Sequence, residues 1–154
     1  MAFAIKNTLR AVESHLKKSR VIRHVQVGTI TEAPSERFLA EITVAGTEVV
    51  EVALGGAASV EVHTIMVRLY RTAFEVPADG LEYDMAEGAS LVHQDLMEDF
   101  TLGGTSGVQN LDIGGIYGTS LSAKFGFADI GGVIFRICDI TVPVIVRGSA
   151  TPAP

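Results

Sequence analysis

The segment VEVHTIMVRLYRT, residues 60–72, constrains the fold of this chain more than any other. Its β-branched and aromatic residues mark a strand. Apolar side chains occupy both phases of the strand period: Val60, Val62, Met66 and Tyr70 fall in one, Ile65, Val67 and Leu69 in the other. Such a strand needs cover on both faces, from its own chain or from another. Two amphipathic helices are available. Ile5, Leu9, Val12 and Leu16 repeat at helical spacing and predict a helix over 3–18. Its basic end (Lys17, Lys18, Arg20) suits the negative pole of the helix dipole. Leu81, Met85, Ala89, Val92, Leu96 and Phe100 predict a second helix over 79–100, with Asp79 as N-cap. Gly88 is a weak point inside it, where another backbone is expected to pack closely. Two helices do not easily cover both faces of a long sheet, so the second face is expected to meet another subunit.

Further strand signals lie at 21–31, broken at Ala33-Pro34-Ser35; at 38–44, ended by Ala45-Gly46-Thr47; and at 49–54, ended by Gly55-Gly56. Short turns between these runs favour antiparallel hairpins. Beyond the second helix, runs at 121–128 and 133–146 flank Asp129-Ile130-Gly131-Gly132, which reads as a hairpin turn. Pro143 predicts that the last strand ends, bulges or lies at an edge there. The order is helix, four strands, helix, then two or three strands. It implies an α+β fold, a mainly antiparallel or mixed sheet with two main helices packed on one face and the second face used in assembly. Residues 1–148 read as one domain and 149–154 as a flexible tail.

Catalytic patterns are absent. The glycines at 103–107 and 114–118 precede a strand, not a helix, and no Lys-Ser/Thr follows them, so neither a P-loop nor a dinucleotide loop is present. His15, His24, His63 and His93 show no metal-ligand spacing. Cys138 is the single cysteine and sits in an apolar run, which reads as a buried, inert thiol. No enzyme, cofactor or metal site is expected. No apolar run approaches the roughly 20 residues of a membrane-spanning helix, so no membrane partner is expected. The net charge of −6 is wrong for a phosphate-binding surface. That charge is segregated: residues 1–24 hold six basic residues against one acid, and the remainder six against seventeen. The predicted second helix carries seven acids and no Lys or Arg. An electrostatic partner surface and a simply solvated helix face both produce such a pattern.

Four stretches carry a family resemblance: RFLAEITVAG (37–46), MVRLYRTAF (66–74), LEYDMAEGASLVHQDLMEDFTLGG (81–104) and VQNLDIGGIYGTSLSAKFGFADIGGVIFRICDITVPVIV (108–146). In this order they resemble the tail terminator (tail completion) proteins of long, non-contractile-tailed phages. The resemblance implies a hexameric ring in the virion neck. The ring caps the tail-tube protein, stops its polymerisation and docks the head-completion (stopper) protein, while phage DNA passes through the lumen without sequence-specific binding. Under that implication the interface residues are Lys17, Lys18, Arg20, Arg68, Arg71, Asp84, Glu87, Asp95, Glu98, Gly103, Gly104, Gly107, Gly115 and Tyr117. Mobile glycine loops would order on contact. The acids of the second helix would line an anionic lumen or meet Lys17 and Arg20 of a neighbour. Another connector component, a stopper or a tube subunit, is the alternative, followed by a small ligand-binding module.

Overall fold

The computed structural model describes residues 5–31, 38–52, 59–73, 78–104 and 108–148. Helix α1 (Ile5–Lys17) leads to the short strand β1 (His24–Val27), then β2 (Leu39–Val52) and β3 (Ser59–Thr72). Helix α2 (Ala78–Glu98) follows, then β4 (Gln109–Leu111), β5 (Ser122–Ile130) and β6 (Val133–Gly148). The six strands form one curled mixed sheet in the order β1-β2-β3-β6-β4, and β5 also pairs with β6. Its spine is the antiparallel β3–β6 ladder, which runs without a register break from Ser59↔Gly148 to Thr72↔Phe135.

Both helices pack on one face, as the α+β reading expects. Val12 and Leu16 of α1 and Leu81, Met85, Ala89, Val92 and Leu96 of α2 are buried with Ile65, Val67 and Leu69 of β3 and Cys138, Ile140, Val142 and Val144 of β6. These β3 residues are one of the two apolar phases in the sequence. The other phase faces away from the helices and is covered only at its ends. Tyr70 packs with Leu39, Phe135 and Ile137 at one end, and Val60 and Val62 pack with Ile145 at the other. Between them Thr64, Met66 and Arg68 are half-buried.

Several expectations are corrected. The runs at 38–44 and 49–54 are one strand through Val52. Gly46 is no turn but lies beside a register shift, and a second shift follows Val49. A bulge absorbs one extra residue without ending the ladder. The run at 21–31 contributes only four residues to a strand, and β1 pairs with β2 in parallel, not as a hairpin. Asp79 is not the N-cap: it lies inside the first turn of α2, where its carboxylate accepts from Gly80 N–H. Gly88 meets a side chain, not a backbone: a Cβ there would sit 2.9 Å from Cε1 of Phe38. Pro143 neither ends the strand nor lies on an edge; it pairs with Thr64 mid-ladder. Its carbonyl accepts from Asp112 N–H, so its nitrogen faces the same side, in the gap between Ser122 of β5 opposite Thr141 and Leu111 of β4 opposite Val144. No strand there asks for the missing N–H.

The Asp129–Gly132 hairpin forms as expected. Gly131 (φ 60°) and Gly132 (φ 83°) supply the paired positive φ of a type I′ turn, and Asp129 accepts from Gly132 N–H. The turns placed at 33–35 and 55–56, the start of the first helix at residue 3, the strand end at 53–54 and the tail at 149–154 lie outside the described residues.

Candidate functional site

The acids of α2 divide into two groups. One group is engaged with the sheet. Arg71 and Arg136 are direct cross-strand neighbours on the helix-covered face, where like charges repel. Each is held by a carboxylate of α2: Arg71 Nη1 lies 2.8 Å from Asp84, and Arg136 Nε lies 2.7 Å from Glu82. Each also sits over an aromatic ring, Arg71 over Phe38 at 5.2 Å and Arg136 over Phe127 at 4.5 Å. Arg71 and Asp84, two of the expected interface residues, are thus consumed within one copy. Arg68 is likewise paired, on the opposite face, through two bonds of 2.6 and 2.9 Å to Asp139. Donating to the Asp139 carboxylate raises the pKa of Arg68 above the ordinary guanidinium value.

The second group of acids lines a groove. His15, Lys18, Arg20 and Val21, at the exit of α1, face Leu91, Asp95 and Glu98 of α2 and Asp99 just beyond it across about 330 Å³. Past Val21 and Leu91 the groove continues along Phe38, Arg71, Asp84, Glu87 and Gly88. The structure therefore places Lys18 and Arg20 opposite Asp95 and Glu98 within the same chain. Among the described residues Lys18, Arg20, Glu87 and Asp95 form no ion pair. Lys17 turns back to Glu13 at 2.6 Å.

The glycine positions are built turns. Gly103 (φ 75°) follows Leu102 (φ 53°) at the exit of α2, and its N–H caps onto Asp99. Gly104 donates to Thr101 O and has no room for a Cβ, which would lie 3.0 Å from that oxygen. Gly107 lies outside the described residues. The second loop, expected to be mobile, is organised by Asp112. This 2% exposed carboxylate accepts from the N–H groups of Ile116 (2.8 Å) and Tyr117 (3.0 Å), and Gly115 (φ 73°) donates to its carbonyl. Tyr117 donates its hydroxyl to Glu51 of β2, and this hydrogen bond raises the phenol's pKa. An aspartate ahead of a glycine pair was the available signal for this turn.

Two buried polar clusters went unnoticed in the sequence. Glu41 accepts from Tyr70 Oη (3.2 Å) and Ile30 N–H (2.8 Å), tying the β1–β2 connection to the sheet. His63, fully buried, lies 2.7 Å from Thr8 Oγ1 through Nδ1 and 3.3 Å from Glu61 through Nε2. Burial outweighs the Glu61 attraction and lowers its pKa below 6.5. A neutral ring accepting from the Thr8 hydroxyl fits this arrangement. Cys138 is buried, and burial pushes its thiol up to about 11, which disfavours the reactive thiolate.

Besides those on and beside α2 and the β1–β2 side, two groups of exposed apolar side chains stand at opposite ends of the sheet. At one end stand Val49 and Val52 of β2, Val108, and Ile116 at the tip of the Asp112 loop, 83% exposed. At the other, beside the β5–β6 turn, stand Phe125, Phe127, Val133 and Ile134. No group of three or more potential metal ligands occurs among the described residues, and no helix of the structure is long and apolar enough to cross a membrane. No family model matches the chain, and no curated protein matches it.

Proposed function

We infer that the protein is a structural, non-catalytic virion component of a phage tail neck. It caps the tail tube as a ring, stops tube polymerisation and docks the stopper protein. The observation that carries this reading is the pair of exposed apolar ends on one long sheet. The sixteen residues of β6 separate them by about 50 Å at strand rise. Exposed apolar side chains grouped in this way favour contact with a partner, and an adaptor between two partners needs two such groups. The end built from Ile116, Val108, Val49 and Val52 serves one partner, and the β5–β6 turn serves the other.

The charge role narrows under this reading. The acids of α2 lie on the helix side and the Arg68–Asp139 face on the other, so they do not line the same lumen. A ring with its sheet inward presents Glu87, Asp95 and Glu98 to the outside. The test is to add the purified protein to polymerising tail-tube protein and measure tube lengths by electron microscopy. Short tubes, each ended by one closed ring, support the reading. Unchanged tube lengths with no association to tube or stopper overturn it, and filaments of this protein alone identify a tube subunit.

A further inference from the structure

The curled sheet has two open edges, and together they suit a second copy of the chain. Along β2, β1 pairs only with residues 39–42, so among the described residues 43–52 have a strand on one side only. Along the opposite side of the sheet, β5 pairs among the described residues with β6 alone.

Register shows which groups face outward. Ile42 gives its carbonyl to Gly28 N–H, so the same side of β2 is presented by Val44. Pro143 turns to β4, so its partner Thr64 turns to β2, as do Val62 and Val60. They engage Gly46, Glu48 and Glu51, which leaves Thr47, Val49 and Val52 pointing out. By the same alternation Ser122, Lys124, Gly126 and Ala128 turn to β6, and Ala123, Phe125, Phe127 and Asp129 point out from β5.

Edges of monomeric proteins are blunted by Lys, Pro or bulges. Among the described residues the β2 edge carries two bulges but no Lys, Arg or Pro between 39 and 52, and β5 holds one Lys. The outward positions include Val44, Thr47, Val49 and Val52 on β2 and Phe125 and Phe127 on β5, residue types that favour strand pairing. Charge also matches on the face away from the helices: by register Glu48 and Glu51 of β2 fall on that face with Lys124 of β5, while Asp129 of β5 falls on the opposite face. Direction matches as well. β2 runs parallel to β6 through β3, and β5 runs against β6, so like-oriented copies set β5 antiparallel beside β2.

We propose that the outer half of β2 and strand β5 of successive copies pair edge to edge, joining the copies head to tail into one continuous antiparallel sheet. The edge at 43–52 is level with β6 residues 141–148, and β5 with 133–141. Each junction therefore steps about 25 Å along the strands, which tilts them against the axis of a closed ring. The ring of the proposed function rests on self-association of this kind, but the edges pair whether or not the assembly caps a tube.

The experiment is native mass spectrometry over a concentration series with wild type, Val49→Pro and Phe127→Pro. Both prolines replace outward N–H groups that the chain's own ladder does not use. Val49→Lys and Phe127→Lys serve where a proline variant loses its circular dichroism. Wild type is expected to form multi-copy species, and each variant alone to associate about tenfold more weakly or worse. An equimolar mixture of the two variants is expected to stop at a dimer, because each retains the edge the other lacks. A wild-type chain that is monomeric at every concentration overturns the proposal. Variants that assemble like wild type overturn it while leaving a ring built on other surfaces intact. Phe127→Pro alone dimerising as tightly as wild type shows β2–β2 pairing and also overturns it.

Discussion

Strand β2 passes through two environments. Its first four residues, Leu39 to Ile42, are buried; from Val44 onward nearly every residue is exposed. The two halves have similar strand propensity, and both pair with β3. They differ in what lies over them. Ala40 and Ile42 sit in the core under the helices, whereas among the described residues the outer arm pairs with β3 alone and most of its side chains are exposed. The near half is held by burial, and the far half by backbone bonds and a few polar ties. A surface left open in this way is available for assembly.

The largest expected effect tests that contrast within the one strand. Ile42→Ala should cost about 2–5 kcal/mol in urea unfolding, because a fully buried side chain leaves a cavity. Val49→Ala in the arm should stay within about 0.5 kcal/mol; a larger loss would show that the arm is part of the core. Asp112→Ala should cost about 1–3 kcal/mol by orphaning two backbone donors. It should also release Tyr117 from Glu51, read as faster amide exchange at Ile116 and Tyr117.

Gly88→Ala should cost about 1 kcal/mol, the Phe38 clash exceeding the gain in helix propensity. In Phe38→Leu the same change should be neutral or stabilising, and a cost that persists would place the clash elsewhere. The smallest effect is on pH dependence. His63 has a lowered folded pKa, so at mildly acidic pH the unfolded chain binds more protons. Its contribution is complete above pH 6.5 and falls away as the pH drops towards and through the folded value. Stability measured from pH 7.5 to 5 should decline more steeply in wild type than in His63→Gln.

Much of the helix-covered half was legible in residue patterns. α2 was visible in the spacing from Leu81 to Leu96, the β5–β6 hairpin in Asp129-Ile130-Gly131-Gly132, and the inert thiol in the apolar run around Cys138. These are local signals: periodicity, turn chemistry and context within a few residues. The two apolar phases of β3 were equally plain, and they pointed to a covered second face. The structure instead divides that face into two apolar ends around the Arg68–Asp139 pair.

The candidate surfaces were less legible. The pairing of Arg71 with Asp84 was not legible, because a charge looks the same in sequence whether it meets solvent or a partner 13 residues away. Gly46 looked like a turn because a glycine in a bulge and a glycine in a hairpin share the same composition cue. Pro143 looked like a strand end because only the positions of β4 and β5 show that no neighbour needs its N–H. By itself, then, the sequence determined the elements with a local period or a local turn, since their information lies within one or two turns of chain. The parallel seat of β1, the two open edges and the division of the α2 acids were decided by tertiary structure alone. Each depends on pairing between residues far apart in the chain, and one residue's shift in register exchanges the side that is bonded for the side that is free.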